Sequence, residues 1–512
     1  MRSVSLAFLK ITAGIVASFG IVVSLWFLRA GQEGVVITPT RIGETPATIF
    51  RPAGSQRVPV VVIAHGFAGS QQLMRPFALT FAKNGYIAVT FDFPGHGRNP
   101  TPLTGDIEHV DGATKVLVDE VARIASVSRP LGDGRLAVLG HSMASDIVVR
   151  FAAAMPDVAA TIAVSMFSPA VTQDVPRNLL VIVGDLETFL KAEALRAVGL
   201  AAPGGEARAG VTYGDPAQGS GRRAAFSSGV EHIGVLYSHD SMAEALAWLD
   251  ATFSVHRSTP SPLDASGPMI LLLLGSLVVL AWPLFSLMPQ LRASPAGAGL
   301  SWRKAWPGLL IPAILTPLIL RVLPTHFLPV VVGDYLAAHF ATYGVISMIC
   351  LGSRNRRSGR ANSPMAFPAA FIAATSAYVF YTLGILGFAV NVFVTSFVAI
   401  SPRVPLILAL LIGTLAFFLG DEWFSRGRGA APGLYVASKV AFLGSLALAV
   451  ALDFERLFFL AIIIPVIIPL MLVYGLFSAW AFRRTGNPMV AGIGNSLAFA
   501  WAIGVTFPML AS

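Results

Sequence analysis

Two patterns of apolar and polar positions divide the chain. Residues 35–255 carry short apolar runs broken by turns and mixed charge, whereas residues 268–510 carry long apolar runs in close succession. In the first part, Val58–Ala64 is continuous and β-branched, as a strand buried on both faces should be. Further strands are predicted at Tyr86–Phe91, Leu136–Leu139, Val158–Val164 and Leu179–Val183, with a weak one near 222–227. Helices are predicted over 71–84, 106–128, Ser142–Met155, 186–198 and 239–252. This alternation predicts an α/β class with a mostly parallel sheet covered on both faces.

The long runs read as membrane helices. Leu6–Leu28 is long enough for one crossing, which takes about 20 residues. It ends in Ser24-Leu25-Trp26-Phe27-Leu28-Arg29, without the small-x-small pattern of a cleaved signal, so it is read as an anchor within residues 1–30. Residues 31–255 form the α/β domain, 256–267 a Ser-, Thr-, Pro- and Gly-rich linker, and 268–512 a membrane domain of about eight helices, an all-α bundle. The segments are 268–288, 306–323, 327–352, 366–389, 403–420, 434–452, 457–480 and 487–508. The stretch 390–402, with Asn391 and Pro402, is a re-entrant piece or an outer loop.

Composition agrees. Charged residues make up 12% of the chain against about 25% in soluble domains, and 55% are hydrophobic. Much of the +9 net charge sits in short loops, at 289–305, 353–362, 425–428 and 483–484. With the N-terminus in the cytoplasm and nine crossings, all four loops fall inside and the α/β domain lies outside. The setting is a multi-pass protein of a bacterial cell membrane. There is no basic patch on a folded face, which argues against nucleic acid. The single cysteine, Cys350, allows no internal disulfide.

The chemistry concentrates in the α/β part. Gly140-His141-Ser142-Met143-Ala144 joins a predicted strand to a predicted helix, and small residues two before and two after Ser142 permit a sharp turn. The segment resembles the Gly-x-Ser-x-Gly nucleophile elbow, with Ala144 for the last glycine. His65-Gly66-Phe67 follows an earlier strand, and Asp92-Phe93-Pro94-Gly95-His96-Gly97 follows the next. In this order the motifs resemble the α/β-hydrolase superfamily over residues of about 35–255. The resemblance implies a serine hydrolase in which the amides of Phe67 and Met143 form an oxyanion hole. It implies an acid after strand Leu179–Val183: Glu187, with Asp185 as runner-up and Asp215 as a remoter choice. It implies a histidine before the last helix: His232 in Val230-Glu231-His232-Ile233-Gly234, with His239 as the alternative. Asp92 and His96 are read as structural, and His141 as a packing residue. Only a short stretch separates Val158–Val164 from Leu179–Val183, so a sizeable lid is not expected. No metal or cofactor motif occurs. The expected substrate is an acyl or ester compound, with lipids among the candidates, and the expected partner is the bilayer. A catalytically silent binding or sensor domain, or an accessory domain of a transporter, is the competing reading.

A second resemblance lies in the membrane part. Asp421-Glu422-Trp423-Phe424-Ser425-Arg426-Gly427 is similar to the Glu-Glu-x-x-x-Arg-Gly segment of the CAAX-protease-like family. Asn495 stands where that family carries a histidine, and no histidine follows His339. The resemblance therefore implies a degenerate, non-proteolytic relative; the alternative is an interfacial charged loop at the end of a span. The topology is checked with alkaline phosphatase, which is active only outside the cytoplasm. Fusions after residues 325 and 400 are expected to be active and fusions after 357 and 428 inactive, and the reverse pattern would invert the assigned orientation.

Overall fold

The computed structural model describes residues 2–54, 56–107, 109–355 and 368–511. Most of the basic stretch 353–362, with Arg356, Arg357 and Arg360, lies outside the described residues. One nine-stranded sheet has the order β1-β2-β4-β3-β5-β6-β7-β9-β8. Its strands are β1 (Val35–Ile42), β2 (Thr45–Pro52), β3 (Val60–Ala64), β4 (Ile87–Phe91), β5 (Leu136–His141), β6 (Val158–Val164), β7 (Leu179–Gly184), β8 (Thr212–Tyr213) and β9 (Arg222–Ser227). Pairings from β4 through β3, β5, β6 and β7 to β9 are all parallel. The central strands are buried on both faces, which explains their unbroken apolar runs.

The first hairpin, β1–β2, is absent from the sequence-based strand assignment. It pairs antiparallel onto β4 at one end of the sheet. Its residues mix Thr and Arg with Pro39 and Pro46, so no apolar run announces it.

The sheet is covered by α2 (Arg75–Lys83), α3 (Lys115–Ser128), α4 (Met143–Ala154), α5 (Thr188–Gly199) and α6 (His239–Phe253), while α1 (Arg2–Ala30) precedes it. The remaining helices are α7 (Ser266–Phe285), α8 (Trp302–Val322), α9 (Gly333–Asn355), α10 (Pro368–Val379), α11 (Leu386–Phe393), α12 (Val404–Ser425), α13 (Leu434–Leu452), α14 (Phe458–Thr485) and α15 (Met489–Thr506). Among the described residues there are nine stretches of helix long and apolar enough to cross a membrane, with α10 and α11 joined in one of them.

In lipid, close helix packing relies on small residues. A Cβ at Gly20 of α1 would lie 2.3 Å from Ser276 Oγ of α7, and one at Gly413 of α12 would lie 2.3 Å from the Ala337 carbonyl of α9. Asp421 and Glu422 do not form an interfacial loop. They sit inside α12, buried. Asp421 pairs with Lys439, while Glu422 accepts from Tyr435 and Ser478 and pairs with Arg426. Each carboxylate is thus partnered inside the bundle, which is what makes its burial tolerable.

The sheet rests on the helices through one edge, that of the β3 and β4 carboxyl ends. Stretch 390–402 is part helix and part loop: residues 390–393 finish α11, 394–400 form a loop, and both dock on this edge. Ser70 Oγ lies 2.9 Å from Thr395 Oγ1, and Arg98 donates to Asn391 Oδ1 at 2.9 Å. Arg403, fully buried, donates to the carbonyls of Gly504 and Phe507 at 2.8 Å and of Gly95 at 2.6 Å. It therefore joins the carbonyl end of α15 to the Gly95 turn. Gly95 has φ +76, and a Cβ there would meet the Met509 carbonyl at 2.6 Å. Its glycine serves the joint as well as the turn.

The expected linker is a fixed strap. Asn84 donates to the Pro262 carbonyl at 2.9 Å, and Asp264 N donates to Thr80 Oγ1 at 3.0 Å. Arg403→Met removes the donor from the Gly504 and Phe507 carbonyls and leaves the Gly95 carbonyl only Met509 N, and should destabilise by on the order of 3 kcal/mol. Thermal unfolding in detergent should show a clear fall in Tm, with only partial recovery in Arg403→Lys.

Candidate active site

Strand β5 ends in a forced turn. Ser142 has φ +54 and ψ −120, a conformation that costs a side-chain-bearing residue energy and is held by its surroundings. A Cβ at Gly140 would lie 2.2 Å from the Ala144 carbonyl, so only glycine allows the chain to cross itself there. Ala144 is fully buried, which fits its small size. The turn hands Met143 to the first position of α4, where its N–H has no acceptor within the helix. The His65-Gly66-Phe67 segment lies alongside. A Cβ at Gly66 would stand 3.0 Å from Ser142 Cβ and 3.1 Å from His141 Nδ1.

Three predicted residues meet. His232 Nε2 lies 2.9 Å from Ser142 Oγ, and His232 Nδ1 lies 2.5 Å from Glu187 Oε1. The other oxygen of Glu187 accepts from Ser165 Oγ at 2.7 Å and from Gly184 N at 2.8 Å. Burial alone would raise the Glu187 pKa, but the hydrogen bonds from His232 and Ser165 and the His232 charge outweigh it and hold the carboxyl below its usual range. A Cβ on Gly184 would come within 2.6 Å of the Val230 carbonyl, so this glycine lets the strand end lie against the histidine loop.

The alternatives lie elsewhere. Asp185 pairs with Lys191 at 2.6 Å, Asp215 caps the short turn 216–218, and His239 is exposed at the start of α6. Asp92 holds the backbone amides of Gln71 and Arg98 at 2.8 and 2.9 Å. His96 is buried against the Pro94 carbonyl. Both have structural roles.

Two residues have more to do than the sequence implied. Ser165, at φ +53 after β6, donates to the Glu187 carboxylate and carries no motif of its own. His141 is more than packing: its Nε2 donates to the His232 carbonyl at 2.9 Å, and its ring lies 4.8 Å from that of His232. Its place beside Ser142 in the motif was the available signal. Among the described residues no three His, Cys, Asp or Glu side chains gather as a metal would require.

Sheet order, the elbow at Ser142 and the acid and histidine after β7 and β9 decide the fold. This is an α/β-hydrolase fold. A family model described as serine aminopeptidase, S33, matches residues 55–204 of the α/β-hydrolase part, a stretch that includes Ser142 and Glu187 and ends before His232. The match supports a hydrolase. A curated Escherichia coli 31.7 kDa protein of the traX-finO intergenic region is 35% identical over 65 residues, 12% of this chain. The chain thereby spans 23% of that relative's length.

Similar solved structures include TT1662 from Thermus thermophilus, 15% identical, covering 43% of this chain and 99% of that one with a TM-score of 0.33. Dienelactone hydrolase from Anabaena variabilis is 16% identical, covering 44% and 100% with a TM-score of 0.32. A bacterial membrane phospholipase A described as a virulence factor is 13% identical, covering 50% and 100% with a TM-score of 0.31.

Burial sets a pH dependence. It pushes the pKa of His96 and of His141 down to about 3. An unfolded histidine titrates near about 6.5. Between these values the unfolded chain binds more protons, so stability is full above about pH 6.5 and is lost as pH falls toward 3. Tm is expected to drop from pH 6.5 to 4, and His96→Gln should flatten that slope; an unchanged slope would refute the assignment.

Proposed function

We propose that this protein is a membrane-anchored serine hydrolase that cleaves an ester or related acyl bond, with Ser142 as nucleophile, His232 as base and Glu187 as the acid that orients it. The observation that carries this reading is the unbroken hydrogen-bonded line from Glu187 through His232 to Ser142, at 2.5 and 2.9 Å. In this mechanism His232 Nε2 takes the Ser142 proton as Oγ attacks the carbonyl carbon. The amides of Phe67 and Met143 hold the developing oxyanion, a contribution of about 3 kcal/mol per donor. His232 then protonates the departing alcohol, and the acyl group stays on Oγ. Water, deprotonated by His232, displaces it as a carboxylic acid and restores Ser142.

Glu187 supports this cycle by fixing the Nδ1–H tautomer and balancing the imidazolium charge. Two further hydrogen bonds hold the carboxylate against rotation. Nine candidate spans fit a multi-pass membrane protein. The distribution of the basic loops supports a hydrolase part on the extracytoplasmic side with the N-terminus in the cytoplasm.

A fluorophosphonate probe tests the reading on the full chain in detergent. Labelling is expected in the native protein and absent in Ser142→Ala. Glu187→Gln should fall by about 10³–10⁴-fold in turnover of an activated ester while keeping its fold. A folded native protein that takes no label would favour a silent binding domain.

A further inference from the structure

The triad stands at a boundary along the carboxyl edge of the sheet. On one side, the β3 and β4 ends are docked on the helices through Ser70, Gly95, Arg98 and Leu103. On the other, the loops after β6, β7 and β9 carry large apolar side chains in the open. Phe167 is 55% exposed, Leu186 63%, Phe189 69% and Ile233 41%. Phe167 and Phe189 stack on each other with ring centroids 5.9 Å apart. These residues belong to the triad loops: Phe167 lies two residues after Ser165, Leu186 and Phe189 flank Glu187, and Ile233 follows His232. Solvent-facing loops of a water-facing esterase have no reason to gather such groups around their acid and base.

A second aromatic row links the site to the membrane. Phe67 stacks on Phe459 at 4.4 Å, Phe459 meets Phe458 at 5.7 Å, and Phe458 meets Phe454 at 5.8 Å. Phe458 is the first residue of α14, a candidate span, so this row marks the level at which a chain enters the bilayer. Phe454 and Phe458 are themselves exposed at that rim. The oxyanion-side residue Phe67 is thus tied to the membrane surface, and the open apolar side of the site belongs to the same edge of the sheet. The loop 165–178 between β6 and β7 is short, so it supplies no lid domain over this edge.

We infer that the patch formed by Phe167, Leu186, Phe189 and Ile233 rests in the adjacent leaflet, and that the substrate is an acyl lipid drawn from that leaflet into the triad. This deepens, and rests on, the serine-hydrolase reading. The lipid's acyl C–O bond breaks, its alcohol leaves with the proton from His232, and water releases the fatty acid from Ser142. The occupant is a bilayer lipid because the exposed apolar side chains lie on the same loops as Glu187 and His232, while Phe67, beside Ser142, stacks on Phe459 at the start of a candidate span.

Two measurements on the full chain in phosphatidylglycerol/phosphatidylcholine vesicles test the proposal. First, a spin label is placed by Phe189→Cys in a Cys350→Ser background, with Leu200→Cys as reference at the far end of α5, roughly 17 Å along the helix. Collision with oxygen relative to a nickel chelate is expected to be at least threefold higher at 189 than at 200; an equal or lower ratio overturns the leaflet contact. Second, the double variant Phe167→Ser/Phe189→Ser is compared with the native chain on a fluorogenic long-chain phospholipid in vesicles and on a short water-soluble ester. The lipid-to-ester ratio of kcat/KM is expected to fall at least fivefold, and an unchanged ratio overturns the substrate class. Loss of all turnover with no fluorophosphonate labelling of the native chain would sink the serine-hydrolase reading instead, and the spin-label result would still decide where the patch lies.

Discussion

Parallel strand pairing is the constraint from which the site follows. Six strands, β3–β7 and β9, run the same way, so every loop that leaves a carboxyl end emerges at one edge. Ser142, Glu187 and His232 come from three such loops, and the His65-Gly66-Phe67 segment from a fourth. Groups far apart in sequence, such as Ser142 and His232, become hydrogen-bonded neighbours because their strands end at the same level. The forced turn at Ser142 only works inside this frame, since the strand on one side and α4 on the other hold a residue at φ +54.

The same edge is also where the sheet meets the helices, which is what sets this chain apart from a free-standing domain. Arg403 and the chain end at Met509 both reach the Gly95 carbonyl, one through a guanidinium and one through a backbone amide. A buried cation is tolerable there because three carbonyls receive it, two of them at the negative end of α15. The docking uses part of the edge and leaves the loops around Glu187 and His232 exposed. A site with no lid domain is therefore shaped by what lies beneath it.

Inside the helical unit the charges follow the same logic of pairing. Asp421 with Lys439, and Glu422 with Arg426, Tyr435 and Ser478, are satisfied within the bundle. Their burial distinguishes them from a charged loop at a span end, which would leave each group to water.

Much was legible in the sequence where one physical requirement acts on neighbouring residues. Apolar runs of membrane length marked the spans, and β-branched runs marked the buried strands. The glycine at 140 marked a turn with no room for a side chain. Ser142, Glu187 and His232, which meet in the structure, could be named because each follows a strand. Other features could only be decided by tertiary structure, because they depend on groups brought together from a distance. Ser165 carries no local signal, and becomes the partner of Glu187 only when β6 and β7 lie side by side. Asp185 and Glu187 are chemically alike and two residues apart; the direction in which the chain leaves β7 turns one to Lys191 and the other to His232. The hairpin β1–β2 hides because its side chains are mixed, and the docking of stretch 390–402 hides because hydrogen bonding between distant segments leaves no periodicity to read.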